Sequence, residues 1–153
     1  MATVYSTQRT NSRATPIVMN KPNELGGRVR VAHGVYEASA LASGDVIEMF
    51  VLPDGARILS GQLAHDALGA STTLAVGHAA YNNADGTAVA ADGDEFKAAA
   101  ASTSAQKVDV AATLALGSGT EIDADEDGFT VTVSMGGAAG TGTIELTMLY
   151  VVD

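Results

Sequence analysis

Apolar and polar residues alternate along most of this chain with a period of two. Phe129, Val131, Val133 and Met135 fall on one face, and Thr130, Thr132 and Ser134 on the other. That pattern predicts a half-buried strand over 129–135. Residues 143–152 continue it, with Ile144, Leu146, Met148, Tyr150 and Val152 facing inward, and the glycines between the two runs suggest a hairpin. Residues 28–36 alternate as cleanly: Val29, Val31, His33 and Val35 share what is expected to be the half-buried face. Residues 46–52 (VIEMFVL) are nearly apolar on both faces except at Glu48, as in a central or sandwich-core strand.

The stretch 51–77 organises the rest. It reads as strand, turn, long strand, turn, strand. Pro53-Asp54-Gly55 has the turn chemistry: proline presets φ, aspartate bonds its own backbone, and glycine accepts positive φ. Ile58, Leu59 and Leu63 follow as apolar surface, and Leu68-Gly69-Ala70-Ser71 breaks the run before Thr72 to Val76 alternates again. Residues 77–93 read as a loop, with Asn82, Asn83, Asp85-Gly86 and Asp92-Gly93 as breakers. Residues 94–105 (DEFKAAAASTSA) are the one expected helix, favoured by alanine and capped by Asp92 or Asp94. Residues 107–116 read as a weak strand, and 117–128 as an acidic loop. Short strands at regular spacing with glycine turns predict an all-β fold, an antiparallel β-sandwich of jelly-roll type with one short helix.

Residues 1–27 break the pattern. They hold Pro16, Pro22 and several Asn, Ser and Thr without a sustained period, and they end at Gly26-Gly27. They read as an extended N-terminal arm that orders against something else, leaving 28–153 as a single domain.

Charge sharpens this division. The net charge is −10, but residues 1–60 carry about +1 and residues 61–153 about −11. Arg9, Arg13, Lys21, Arg28 and Arg30 stand against one acid, Glu24, in the first thirty residues. A cationic arm on an anionic body suits an acidic partner surface. Nucleic acid is not the expected partner, because an acidic body repels phosphates. With no cysteine there is no disulfide, no thiolate metal site and no cysteine nucleophile. No apolar run approaches the ~20 residues of a membrane span. The first ten residues lack a signal-peptide order, so synthesis in a cytoplasm without export by a signal of its own is expected.

Candidate chemistry is sparse. Asp123, Asp125 and Asp127 followed by Gly128 give D-x-D-x-D-G, three carboxylates at alternate positions that can converge on calcium. The twelfth position is Ser134 where an EF-hand needs glutamate, and the flanks read as strands. The EF-hand is excluded; a looser calcium loop stays open beside a solvated acidic turn, and no cofactor is assigned. His33, His65 and His78 sit at no metal-ligand spacing, and His33 reads as a hydrogen-bonded core or interface residue. His65 and Asp66 are adjacent on a strand and point to opposite faces. There is no G-x-S-x-G elbow, no P-loop lysine and no tryptophan for stacking sugars. The expectation is a protein that is not an enzyme.

Four stretches carry a resemblance: NELGGRVR (23–30), LPDGARI (52–58), LGASTTLAVG (68–77) and GTGTIELTMLYVVD (140–153). With them the chain resembles a family of small virion structural proteins of tailed bacteriophages, over most of its length and more weakly through 80–112. The resemblance implies a non-enzymatic capsid decoration, or cement, protein. It further implies binding to the major capsid protein on the outer surface of the head, and self-association as a homotrimer. The arm cations Arg9, Arg13, Lys21, Arg28 and Arg30 are then the expected docking contacts. The alternative is a receptor- or glycan-binding module of a phage spike or tail, using loops 78–93 and 117–128.

Overall fold

The computed structural model describes residues 3–152. One short helix, α1 (Thr7–Arg13), precedes the strands β1 (Val29–Leu41), β2 (Val46–Leu52), β3 (Arg57–His65), β4 (Thr72–His78), β5 (Tyr81–Asn82), β6 (Ala88–Val89), β7 (Asp92–Ala101), β8 (Gln106–Val110), β9 (Phe129–Gly137) and β10 (Gly140–Val151). Eight of these build two antiparallel four-stranded sheets, ordered β1-β10-β3-β8 and β2-β9-β4-β7, while β5 and β6 form a small ribbon. Renumbered one to eight in chain order, the long strands run 1-8-3-6 and 2-7-4-5. This is the jelly-roll sandwich expected from the alternation.

The core lies between the sheets. Leu52, Ile58, Leu63, Leu74, Val76, Phe96, Val131, Val133, Ile144, Leu146 and Met148 are buried there. The inward residues of β9 and most of those of β10 are the ones the alternation assigned. The turn at Pro53-Asp54-Gly55 also forms, with Gly55 at φ +72°.

Several expectations change. Residues 92–101 form β7, not a helix: pairing with β4 and burial of Phe96 outweigh alanine's helical preference. The helix lies instead in the arm. The run 129–152 is not a hairpin, since β9 pairs with β2 and β4 while β10 pairs with β1 and β3. The glycines at 136–140 carry the chain from one sheet to the other, so that both strands cover the core from opposite sides. β2 is an edge strand with Val46 and Val51 exposed. The strand expected over 107–116 ends at Val110, and Leu114 is solvent-exposed.

β1 is the most informative correction. Val29, Val31 and Val35 face solvent, while Ala32, Gly34 and Ala38 face inward. A Cβ on Gly34 would lie 2.8 Å from the Met49 carbonyl oxygen. The inward face of β1 is therefore built of small residues, because β1 and β2 approach closely where the sheets meet.

Candidate docking site

The arm is an ordered hook. Ser6 caps α1, its hydroxyl accepting from the Arg9 N–H at 3.3 Å. After the helix the chain doubles back, and Asn20 clasps it. The Asn20 amide donates to the Gln8 carbonyl at 3.1 Å, and its Oδ1 accepts from Asn11 at 3.1 Å. No residue of α1 is buried. The hook presents Val4, Tyr5, Ile17, Val18, Met19 and Leu25 to solvent; Met19 is 86% exposed.

The hook is tied to the body at its root. Glu121 accepts from Lys21 Nζ and from Arg57, each at 2.6 Å, through its two different oxygens. Arg57 also donates to the Gly119 carbonyl at 2.7 Å and lies 3.9 Å from Glu24. Asn23 donates to the Gly55 carbonyl at 2.9 Å. The hydrogen bond from Lys21 holds the Glu121 carboxyl below its usual range, helped by Asn23 and the charges of Lys21 and Arg57, against the opposing effect of burial. A depressed folded value means that this stabilisation is present above the ordinary carboxylate range and is lost as pH falls through the lowered one. The Glu24 and Leu25 amides, which donate to the Lys21 carbonyl, are therefore expected to exchange slowly at neutral pH, relative to their intrinsic rates, and to lose that protection in acid. Glu121→Gln should lose it at every pH, read by hydrogen-exchange mass spectrometry.

The five arm cations do not form one patch. Lys21 is committed to Glu121. Arg13 stacks over the Tyr5 ring at 4.8 Å. Arg9 and Arg28 are exposed, and Arg30 lies within β1. Sequence reasoning missed Arg57 and Glu121. They stand 64 positions apart, and no local spacing marks them as partners.

The structure does not gather Asp123, Asp125 and Asp127 around a point. Asp123 accepts from the Ala84 N–H at 3.2 Å, and Asp125 from the Asp127 N–H at 3.1 Å and from Asn82 at 3.3 Å. Among the described residues no three His, Asp or Glu side chains are placed to hold a metal ion. These bonds knit the two acidic loops together at one end of the sandwich.

The histidines have ordinary partners. His33 meets Thr147 Oγ1 at 2.8 Å, on the solvent face rather than in the core. The Nδ1–H groups of His65 and His78 donate to the carbonyls of Asp66 and Ala79. The Asp66 carboxylate accepts from Thr143 instead, so it does not orient His65. His78 packs among Tyr81, Phe96 and Phe129. Burial first, then Asp123 and Glu95, pushes the Tyr81 hydroxyl above its usual range. A hollow of about 500 Å³ on the outer face of the β1 sheet is lined by Leu59, Gln62, Asp109, Thr147 and Leu149, with Asp109 as the one carboxylate among its lining residues. No helix among the described residues is long and apolar enough to cross a membrane.

No protein-family model and no curated protein matches the chain. Solved structures do. A chain from the capsid of Ralstonia phage GP4 is 29% identical, with 83% of this chain and 86% of that one covered and a TM-score of 0.60. A chain of the capsid asymmetric unit of cyanophage Pam1 is 19% identical, with 92% and 97% covered and a TM-score of 0.62. A chain from the acid-stable capsid of Helicobacter pylori bacteriophage KHP30 is 16% identical, with 81% and 87% covered and a TM-score of 0.52. The last two show a shared fold. The first adds sequence similarity, and the resemblance to phage virion structural proteins read from the sequence holds in three dimensions.

Proposed function

We propose that this chain is a non-enzymatic structural protein of a phage virion, and within that class a decoration protein. In this reading it cements the outer surface of the head by docking on the major capsid protein, in groups of three. The similarity to capsid chains supports the class. One observation carries the docking role: an ordered, cationic and apolar hook is held at its root by ion pairs yet buries none of its helix against its own body. Apolar surface of this kind marks a contact with another molecule. Arg9, Arg13 and Arg28 add attraction to an acidic shell, which sets association rate and orientation more than affinity. Lys21 acts at the root.

The test is to incubate purified protein with undecorated capsids and locate it by cryo-electron microscopy. The expected result is regular density on the outer surface, with the hook against the shell. Density confined to the tail, or none, would overturn the reading.

A second reading rests on the two acidic loops joined through Asn82–Asp125 and Ala84–Asp123. They form one polar surface suited to a host glycan on a spike or tail module. Binding of fluorescent protein to host cells, competed by free glycan from the same cells, would favour it.

A further inference from the structure

The hook encloses a hollow of about 290 Å³, lined by Ser12, Ile17, Val18, Met19, Asn20 and Leu25. Its walls are held in place. The Val18 N–H donates to the Asn11 carbonyl at 3.2 Å, which fixes the returning chain against α1. The two polar lining residues are spent on the hook itself. Asn20 donates to the Gln8 carbonyl at 3.1 Å and to Ser12 Oγ at 3.3 Å, and accepts from Asn11 at 3.1 Å. Ser12 Oγ in turn donates to the Gln8 carbonyl at 2.9 Å. What the hollow offers a guest is therefore apolar: Ile17, Val18, Met19 and Leu25, all of them solvent-exposed.

Charge describes what surrounds the guest. Residues 3–20 hold Arg9 and Arg13 and no acid. Neither arginine forms an ion pair among the described residues. Arg9 stands one helical turn from Ser12, and Arg13 one turn beyond Arg9 on the same side of α1. The two cations thus border the hollow on its helix side, where carboxylates flanking a guest would be answered.

We propose that the hook is a socket for one large apolar side chain carried on an acidic segment of its partner, with the flanking carboxylates against Arg9 and Arg13. This rests on the docking role proposed above and names the chemistry that the shell presents to the hook. An apolar anchor seated in a pocket, with charges at the rim, is how a small contact concentrates its binding energy. A lipid surface suits the hook less. α1 (TQRTNSR) has no apolar face to lay on a membrane, and a hollow receives where a membrane anchor must insert. A second copy suits it less as well. Its acidic loops, 78–93 and 117–128, carry no exposed large apolar side chain. Its exposed Leu114 has no acid within four residues, so Arg9 and Arg13 would face nothing of opposite sign.

The full chain is labelled with carbon-13 at its methionine methyl groups and followed by nuclear magnetic resonance. Met19 lines the socket, while Met135 and Met148 are buried in the core and serve as internal references. Met19→Leu assigns the reporter. The probe is the capped peptide Asp-Glu-Phe-Glu-Asp. It is expected to shift the Met19 methyl resonance saturably, with half-saturation at roughly 1 mM or below, and to leave the core methyls unmoved. Replacing its Phe by Ala should weaken binding about tenfold, the loss of an anchor side chain. The peptide Lys-Lys-Phe-Lys-Lys should not bind. Ile17→Asp, an exposed change outside the core, should abolish the response while Met135 and Met148 report an intact fold. A Met19 resonance unmoved by the acidic Phe peptide, or moved equally by the Ala or the Lys peptide, would overturn the proposal. So would a resonance that moves with protein concentration alone, which assigns the socket to a second copy, or one that responds only to phosphatidylglycerol vesicles, which assigns it to a membrane. An Ile17→Asp chain that decorates capsids at full occupancy would overturn the socket and leave the decoration reading standing. Peptide binding as expected, by a chain that binds no capsid, would leave the socket standing and remove the decoration role.

Discussion

A chain lacking residues 1–20 should melt within about 4 °C of the full chain and fail to decorate capsids. The small thermal effect follows from what the hook lacks. None of its described residues belongs to the core, and α1 buries none of its own. Among the described residues, what crosses the cut is a surface hydrogen bond, from the Gln8 amide to Glu24 at 3.3 Å. Such bonds contribute about 1 kcal/mol or less, and 1 kcal/mol moves the midpoint of a domain this size by roughly 2–4 °C. Lys21, Asn23 and Glu24 remain, so the root stays closed. The functional effect is large because Arg9, Arg13, Tyr5, Ile17, Val18 and Met19 all go. Thermal melts by circular dichroism and occupancy by cryo-electron microscopy read the two halves separately. A truncated chain that decorates shells at full occupancy would end the docking role of the hook. Arg9→Glu with Arg13→Glu tests the electrostatic part alone. It should slow binding at low salt and matter less as salt screens it.

Much of the body was legible because the jelly roll is built from alternation. Val131, Val133 and Met135 could not be misassigned: one face is apolar, the other Thr and Ser, and both neighbours of β9 lie in the same sheet. The same rule failed at β1, where the apolar face is the outer one. Alternation locates a face; it does not say that the core lies there. Packing decided the matter, since only Gly34 and its small neighbours fit beneath Met49. Residues 94–105 misled in another way. Alanine weakly favours a helix, whereas the deciding contacts come from β4, some twenty residues earlier, and from the pocket that takes Phe96. The turn between β9 and β10 shows the limit of local reading: adjacent strands joined by glycines suit a hairpin and a crossing between sheets equally well.

The candidate site was half visible. Charge asymmetry marked the arm, and the cations near its tip remain exposed. Lys21 was grouped with them because one-dimensional charge does not reveal a partner a hundred residues away. The same blindness hid Arg57 and Glu121, which decide where the hook points. The Asp123-Asp125-Asp127 spacing, by contrast, was conspicuous but local. Asp123 and Asp125 turn their carboxylates to backbone N–H groups and to Asn82, as short acidic turns commonly do.

Gly77→Val should remove most of the stability of the fold, although valine is the better strand former. Gly77 reads from sequence as the start of a loop. It lies instead inside β4, whose residues 74–78 are all buried. A Cβ there would fall on the Asp92 carbonyl oxygen and lie 2.7 Å from the Asp94 nitrogen. These are backbone atoms at the start of β7, and they cannot swing aside as the end of a side chain can. The start of β7 would have to lift away, breaking the His78–Asp92 pairing and loosening Phe96 four residues on, against His78 and Phe129. Unseating a buried phenylalanine costs about 3–5 kcal/mol, a large share of the 5–15 kcal/mol typical of a domain. The denaturation midpoint should collapse and soluble yield should fall with it. Gly93→Ala is the control: a Cβ there meets Ser134 Oγ at 3.5 Å, an ordinary contact, so the change should cost within about 1 kcal/mol. Gly77→Val melting like the parent would mean that β7 does not cross where the structure puts it, and the sheet order β2-β9-β4-β7 would fall with it.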